Sequence, residues 1–354
     1  MKILFLAQYP AGESPSQRYR FEHYLGYLSG QGIQYNYQPF FDISSWKIFF
    51  KKGFIGRKVA GVVKGLVKRW LLMFTVYRYD YVYIHRESAP IGPPVFEWII
   101  AKLFRKKIIY DFDDAIWIPV ISDNNKIGRY IKCFWKVKTI CRWSHHITTG
   151  NGFLRDYALQ YNKSVSVIPT VVDTINKHNQ LQIQNTSSPV IGWTGSFSTL
   201  KFLDIVLPVL RSLQRQYSFR FVVIADVDPK LPLENYSFIK WDKHTETEDL
   251  LKMHIGLMPL YDNDLAKGKC GFKAIQYMAL GIPAVLSPVG VNATIVDEGE
   301  NGFLCSSNEE WEERLALLLG DATLRERMGK NARDKIVRKY SVEATKNDFI
   351  KLFQ

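Results

Sequence analysis

At 354 residues, 47% hydrophobic and 23% charged, the chain has length for two ordinary domains and too much apolar content for a disordered one. Its four cysteines, Cys133, Cys141, Cys270 and Cys305, form no CxxC pair. With the seven histidines they fit no zinc spacing, so a reducing cytoplasm with ordinary buried thiols is expected. The net charge of +13 favours an anionic partner without choosing among lipid, nucleic acid and a phosphorylated small molecule.

Lys2–Ala7 reads as a buried first strand, too short for the apolar core of a signal peptide. No segment reaches the ~20 apolar residues of a membrane span. The loop after the strand holds Gly12, Ser14, Ser16, Gln17, Arg18 and Arg20, and a helix is expected over residues 17–29 before Gly30 and Gly32. Gly12 permits close backbone approach, and Arg18 and Arg20 would clamp a phosphate; the other reading is a capped, solvated helix. Residues 46–71 carry eight basic side chains and no acidic one, with Val59, Val62, Val63, Leu66, Val67 and Trp70 at helical spacing. That segment reads either as a basic amphipathic helix for an anionic membrane surface or as a core-packed helix with a solvated basic face. Gly53, Gly56, Gly61 and Gly65 weaken the helix. Residues 126–142 form a second basic cluster.

Residues 81–84, 107–110, 147–149 and 165–168 are short apolar runs of the kind that parallel sheets bury. Arg86 follows the first of these and is expected to point to the ligand side, whereas His85 is expected to pack away from it. Tyr110-Asp111-Phe112-Asp113-Asp114 follows the second. These carboxylates at a strand's carboxyl end are expected to point to the ligand side; the plainer alternative is helix capping by Asp111 or Asp113. Asp-x-Asp is also a metal pattern, and Asp226-Val227-Asp228 matches it equally.

Residues 174–189, rich in Asn, Gln and Ser, resemble an interdomain linker. The strand–helix alternation then restarts: strands over 190–193, 221–224, 255–259 and 284–287, helices over 200–214, 248–253 and 272–280, and a mostly helical tail from Glu309. The expected architecture is α/β: an acceptor-side Rossmann-like domain over 1–173, the linker, and a second domain over 190–340. A last helix over 341–354 is expected to pack back on the first domain. Two such α/β/α domains would face a cleft at the carboxyl ends of their sheets.

In the segment from Gly268 to Pro283, a glycine-bearing loop opens a helix that Gly281-Ile282-Pro283 stops. Free N–H groups at the helix start favour an anion, yet Lys273 lies in the first turn, where a cation opposes the helix dipole. A bound anion would reconcile the two. Lys273 and Gln276 share a face and would suit a diphosphate and ribose hydroxyls; a surface lysine with a solvated glutamine is the plainer alternative.

This segment resembles the donor-binding region of GT-B glycosyltransferases of the retaining family four, through Gly271-Phe272, Met278-Ala279-Leu280-Gly281-Ile282-Pro283 and the strand after it. Val167-Ile168-Pro169-Thr170-Val171-Val172-Asp173, Ile191-Gly192-Trp193-Thr194-Gly195-Ser196 and Val296-Asp297-Glu298-Gly299-Glu300-Asn301-Gly302-Phe303-Leu304 match further family segments in order. The likeness spans most of the chain and is stronger in its second half. The family pattern has two glutamates eight residues apart, which here become Gly268 and Gln276. It also has an arginine where Ser196 stands, while Lys201 falls at a family lysine. Asp113 lies near a position where many relatives carry an active-site histidine, which implies that it contacts the sugar or orients the acceptor hydroxyl.

The resemblance implies two Rossmann-like domains and transfer of a sugar from a UDP- or GDP-sugar, with retention, to a hydroxyl of a membrane-associated glycan or lipid-linked acceptor in surface polysaccharide synthesis. The donor would rest on Gly195, Ser196, Lys201, Gly271, Phe272, Lys273 and Gln276, with Asp113 and Lys273 catalytic. Gly12, Arg18, Arg20, Arg86 and Asp111 would serve the acceptor or phosphates. No metal and no cofactor beyond the nucleotide-sugar substrate are expected, since cationic side chains and helix dipoles stabilise the leaving group. The expected location is cytoplasmic, peripheral on the inner membrane face, without nucleic acid as partner. The alternatives are a nucleotide-sugar epimerase on the same fold, and a non-catalytic nucleic-acid or membrane binder on a degenerate GT-B scaffold.

Overall fold

The computed structural model describes residues 1–49, 51, 53–119, 131–186 and 188–354. Phe50 and residues 126–130 of the second basic cluster lie outside them. The chain divides into two compact units, residues 1–170 with 346–354, and residues 171–345.

The first unit is built on six parallel strands: β1 Lys2–Ala7, β2 Gln34–Pro39, β3 Tyr81–His85, β4 Lys107–Phe112, β5 His146–Thr149 and β6 Val165–Val167. Their order is β2-β1-β3-β4-β5-β6. Ile3, Leu4, Phe5 and Leu6 are wholly buried, as are Ile108 and Ile109. Helices cover both faces of a parallel sheet, so its strands are apolar without alternation. Each such side chain contributes about 1.5–3 kcal/mol by leaving water. The strand order reverses between β1 and β3, so the carboxyl ends of these two strands flank the crevice that such sheets use for ligands. The helix Val342–Lys351 divides between the units, and residues from Lys346 onward group with the first. Phe349 stacks on Tyr24 with centroids 4.2 Å apart, and Phe353 meets Tyr81 edge-on at 5.6 Å.

The second unit has β7 Val190–Gly195, β8 Arg220–Ala225, β9 Tyr236–Lys240, β10 Ile255–Met258, β11 Ala284–Leu286 and β12 Gly302–Leu304, in the order β12-β11-β10-β7-β8-β9. This is the Rossmann order, with its switch point between β7 and β10. Trp193, Leu210, Phe221, Ile255, Val285 and Trp311 lie in its core.

Three expectations change. Residues 200–214 are not one helix: a 3₁₀ helix Phe197–Ile205 ends, and an α-helix Leu207–Gln214 begins with Pro208 in its first turn, where proline is tolerated. Residues 17–29 begin with a π-helical turn, Arg18–Glu22, before the α-helix His23–Gly30. Within the expected linker, residues 178–184 are tied down. The Gln182 side chain donates to the Leu251 and Met253 carbonyls at 2.5 and 2.8 Å, and Gln184 donates to Gly281 O at 3.1 Å. Arg325 donates to the Gln184 carbonyl at 3.0 Å, and His178 is buried. The polar composition that reads as a linker instead satisfies carbonyls at helix and strand ends of the second unit. Among the described residues no helix is long and apolar enough to cross a membrane.

Candidate functional site

At the carboxyl ends of β1, β3 and β4, two aspartates, a histidine, a serine and two arginines meet. Asp111, on β4, is fully buried; it accepts from Arg20 Nη2 at 2.5 Å, lies 2.8 Å from His85 Nδ1 and also accepts from Thr148. Burial opposes its ionisation, but Arg20 and then His85 outweigh this and hold it well below the usual carboxylate range. Ser16 Oγ lies 2.8 Å from His85 Nε2 and donates to Asp113 Oδ2 at 2.6 Å. Because the Ser16 proton goes to Asp113 and Asp111 only accepts, the network is satisfied when both His85 nitrogens donate. The result is a chain, Asp111–His85–Ser16–Asp113, that ends at the more accessible carboxylate.

Arg86 closes the other side. Its Nη2 and Nε lie 2.7 and 2.9 Å from Asp113 Oδ1. Burial works against the Asp113 carboxylate, yet Arg86, helped by His85 and Ser16, brings it down to about 2. A carboxylate this acidic is a hydrogen-bond acceptor for a hydroxyl rather than an effective base near neutral pH. Arg86 itself has φ 63°, a left-handed conformation uncommon for a side-chain-bearing residue. The chain therefore leaves the strand at Arg86, and the turn brings the Arg86 side chain to Asp113. His85, expected to pack away, instead lies on the face of β3 that it shares with Tyr83, where both rings pack on Phe21, and there it meets Asp111 and Ser16. The contact of His85 with Ser16 joins residues 69 positions apart, which nothing local in the sequence indicates.

Other expected phosphate contacts are placed differently. Arg20 is 1% exposed, with its guanidinium committed to Asp111 and the Ile168 carbonyl, so it braces the unit rather than gripping a ligand. Arg18 is also buried, beside the Tyr19 ring. Gly12 has φ 75° with open space where a Cβ would stand, so its glycine serves the turn and not a close approach. Its N–H donates to Glu22 Oε2 at 2.8 Å, where an anion would otherwise bind. Gln17 pins the same loop through both Tyr9 backbone groups. Asp111 spends its carboxylate on Arg20, His85 and Thr148; it is Asp114 that accepts a local backbone N–H, from Ala115 at 3.0 Å.

In the second unit the switch point brings β7 against the helix Phe272–Ala279. Tyr277 Oη accepts from Thr194 N at 2.9 Å. Gly271 caps the helix at φ 66°, and a Cβ there would fall 2.0 Å from Ile295 Cδ1, so only glycine fits. Gly195 ends β7, and its missing side chain leaves room for the Trp193 ring, 2.3 Å from where a Cβ would sit. The Lys273 amine lies over that same ring, 5.5 Å from its centre. Trp193 thus joins Gly195 to Lys273. Burial, then Lys269, pull the Lys273 pKa down to about 7. No carboxylate pairs with Lys273 among the described residues.

The remaining donor-side candidates are less concentrated. Gln276 is 2% exposed within the same helix, and Phe272 is half-buried. Ser196 and Lys201 are exposed; Ser196 N donates to Thr199 Oγ1, and the Lys201 amine lies over the Phe202 ring at 5.7 Å. The Phe197 N–H goes to Asp226 Oδ1 at 2.7 Å, while Asp228 accepts from Tyr236 Oη and Lys230 N. The second Asp-x-Asp is thus a turn-stabilising pair. Among the described residues no group of three or more His, Cys, Asp or Glu is placed to hold a metal ion.

Residues 175–335 match the family model of glycosyl transferases group 1. No curated protein sequence matches the chain. Among solved structures, the chain is similar to a glycosyltransferase from Rickettsia africae, at 12% identity over 99% of this chain and 97% of that one, with a TM-score of 0.71. It is also similar to sucrose-phosphate synthase from Thermosynechococcus elongatus, at 13% identity over 100% and 98%, TM-score 0.70. Anabaena HepE in complex with UDP-glucose matches at 15% identity over 99% and 98%, TM-score 0.68. The two Rossmann-like units thus share the GT-B fold of these structures, and residues 175–335, within the second unit, match the model of glycosyl transferases group 1.

Proposed function

We propose that the protein transfers a sugar from a UDP- or GDP-sugar to a hydroxyl of a membrane-associated glycan or lipid-linked acceptor, with retention, in surface polysaccharide synthesis at the cytoplasmic membrane face. The observation that carries the donor side is Lys273. It is a partly buried cation with no carboxylate partner among the described residues, at the start of a helix, beside Gly195 and over Trp193. A diphosphate supplies the missing counter-charge and meets the helix N–H groups as well. The similarity to HepE, captured with UDP-glucose, supports a nucleotide-sugar in this role.

On the acceptor side, Asp113 accepts a hydroxyl proton as a hydrogen bond and Arg86 fixes its position. In front-side attack the bond from the anomeric carbon to the diphosphate breaks as the bond to the acceptor oxygen forms on the same face. The acceptor proton passes to the departing phosphate oxygen, which asks for neither a strong base nor a covalent nucleophile. Screening UDP- and GDP-sugars by thermal shift and donor hydrolysis tests the donor reading, because binding raises apparent stability by mass action. The expected result is a shift with one donor class that Lys273→Ala loses. Full donor affinity in that variant would remove Lys273 from the diphosphate site.

A further inference from the structure

The helix Ile55–Met73 packs the opposite way round from an ordinary surface helix. Its buried residues are Gly61, Gly65, Arg69, Leu72 and Met73, and over the first turns only the glycines face inward: a Cβ on Gly65 would fall 2.4 Å from the Phe40 ring, and one on Gly61 would fall 2.8 Å from Ser45 Oγ. Arg69, 1% exposed, locks that side by donating to the Ser88, Ala7 and Gln38 carbonyls at 2.8, 3.0 and 2.9 Å. With its rotation so fixed, the helix turns apolar side chains outward. Ile55 is 76% exposed, and Val59, Val63, Val67 and Trp70 are each between 51% and 56% exposed. Leu71 and Phe74 continue the stripe at 63% and 76%. These positions recur every three or four residues, so they form one line over the length of the helix.

Arg57, Lys58, Lys64 and Lys68 border the stripe, and no acidic residue occurs anywhere from Ile43 to Tyr79. Lys64 reaches Asp42 at 2.6 Å from an otherwise open position, its side chain 61% exposed. The helix carries too much charge to cross a bilayer. A second copy of the chain on the same stripe would bring the cationic border against itself. A surface that is apolar at its centre and anionic at its margin meets both features.

We propose that Ile55–Met73 is an interfacial anchor lying in the plane of an anionic bilayer, with Val59, Val63, Val67 and Trp70 inserted among the lipids and the bordering cations at the headgroups. The proposal rests on the reading of a membrane-associated acceptor and adds which face enters and how. Apolar insertion and electrostatic attraction are separable. Insertion places the Trp70 ring below the headgroups, whereas attraction alone leaves it in water and is lost at high salt.

The test is co-sedimentation of the full chain with vesicles of phosphatidylcholine alone and of equal parts phosphatidylcholine and phosphatidylglycerol. The expected result is binding to the mixed vesicles that salt weakens without abolishing, with quenching by brominated acyl chains that Trp70→Phe diminishes. The double variant Val63→Glu, Val67→Glu, at exposed sites, should bind about tenfold or more weakly. Arg57→Ala and Lys68→Ala should each weaken binding about fivefold. Circular dichroism and the donor-induced thermal shift report whether these variants stay folded and keep their donor site. Absence of binding to mixed vesicles, or binding unaffected by the double variant, would overturn the anchor while leaving donor chemistry standing. So would a dimer in light scattering that the double variant dissolves. Loss of the donor shift with vesicle binding intact would instead count against the donor reading.

Discussion

The Lys273 amine sits 5.5 Å above the Trp193 ring, and that ring occupies the space Gly195 leaves open. The lysine is held by a π-face rather than a carboxylate, which leaves its charge exposed to burial. With its pKa drawn down to about 7, the free protein loses this cation over the physiological range. Donor affinity should therefore fall as pH rises above about 7. A bound diphosphate favours the charged form, so binding near pH 8 should take up close to one proton. Calorimetry in buffers of differing ionisation enthalpy reads this directly; binding without proton uptake would separate Lys273 from the phosphate.

The same residue couples function to stability. Its folded pKa lies below the value near 10.4 of an unfolded lysine, so the unfolded chain binds more protons between about pH 7 and 10. Stability gained from this group is complete above the unfolded value and is lost as pH falls through about 7. Lys273→Met removes the burden of a buried charge. It should raise the melting temperature at pH 6 more than at pH 9, while abolishing the donor-induced shift. An equal change at both pH values would mean that Lys273 is not buried as a cation.

Arg20 offers a test between bracing and phosphate binding. Removing it strands Asp111, which is fully buried and held ionised chiefly by Arg20 and then His85 against burial. Breaking a buried pair from one side costs about 3–5 kcal/mol. Arg20→Leu should therefore lower the urea midpoint strongly. It should also raise the pH of acid unfolding, because the depressed Asp111 pKa contributes stability present above about pH 4 and lost as pH falls through its folded value. A raised KM with unchanged stability would restore Arg20 to the phosphate.

The buried placement of Arg20 shows what the sequence conceals. A basic residue in a loop after a strand reads as exposed, because nothing local indicates that Asp111 on β4 waits inside to receive it. The contact between Ser16 and His85 was hidden for a related reason: the two lie 69 positions apart on different elements. By contrast β1, β3, β4, β5, β7, β8, β10 and β11 were legible, since strands covered on both faces leave apolar runs, and the edge strand β6 was legible from residues 165–168 as well. β2, β9 and β12, also at sheet edges, were not; in β2 the half-exposed Gln34–Pro39 carries polar residues where a buried strand would be apolar. Lys273 was readable as a cation misplaced at a helix start; its contact with Trp193 was not, because the two lie on different elements.

Asp113 should matter to turnover more than to donor binding. Asn at this position keeps the shape but loses the charge that Arg86 and Ser16 hold in place. Asp113→Asn should lower kcat by roughly a hundredfold through misplacement of the acceptor hydroxyl. Donor KM and the donor-induced thermal shift should change little. Ser16→Ala, which removes the hydrogen bonds to both His85 and Asp113 but leaves Arg86 on the carboxylate, should cost less, and the pH profile of kcat should keep its shape if Asp113 accepts a hydrogen bond rather than a proton. A profile that moves in Ser16→Ala would make the chain from His85 part of proton transfer.

Gly271 and Gly195 are both close-packed glycines, yet their substitutions should fail differently. At Gly271 an alanine meets Ile295 at 2.0 Å and must also hold φ 66°, which costs about 1–2 kcal/mol for the backbone alone. Gly271→Ala should thus shift the start of the helix Phe272–Ala279 and reduce both stability and donor affinity. At Gly195 no left-handed backbone is involved; the obstacle is the Trp193 ring, 2.3 Å away, together with Thr199 Oγ1 at 2.7 Å. Gly195→Ala should displace the indole that lies under Lys273 and so weaken donor binding. Gly195→Ala combined with Trp193→Phe, which makes room for the methyl group, should recover part of the lost stability but not the donor affinity. Full recovery of donor affinity in that double variant would show that the indole plays no part in holding the lysine where the diphosphate needs it.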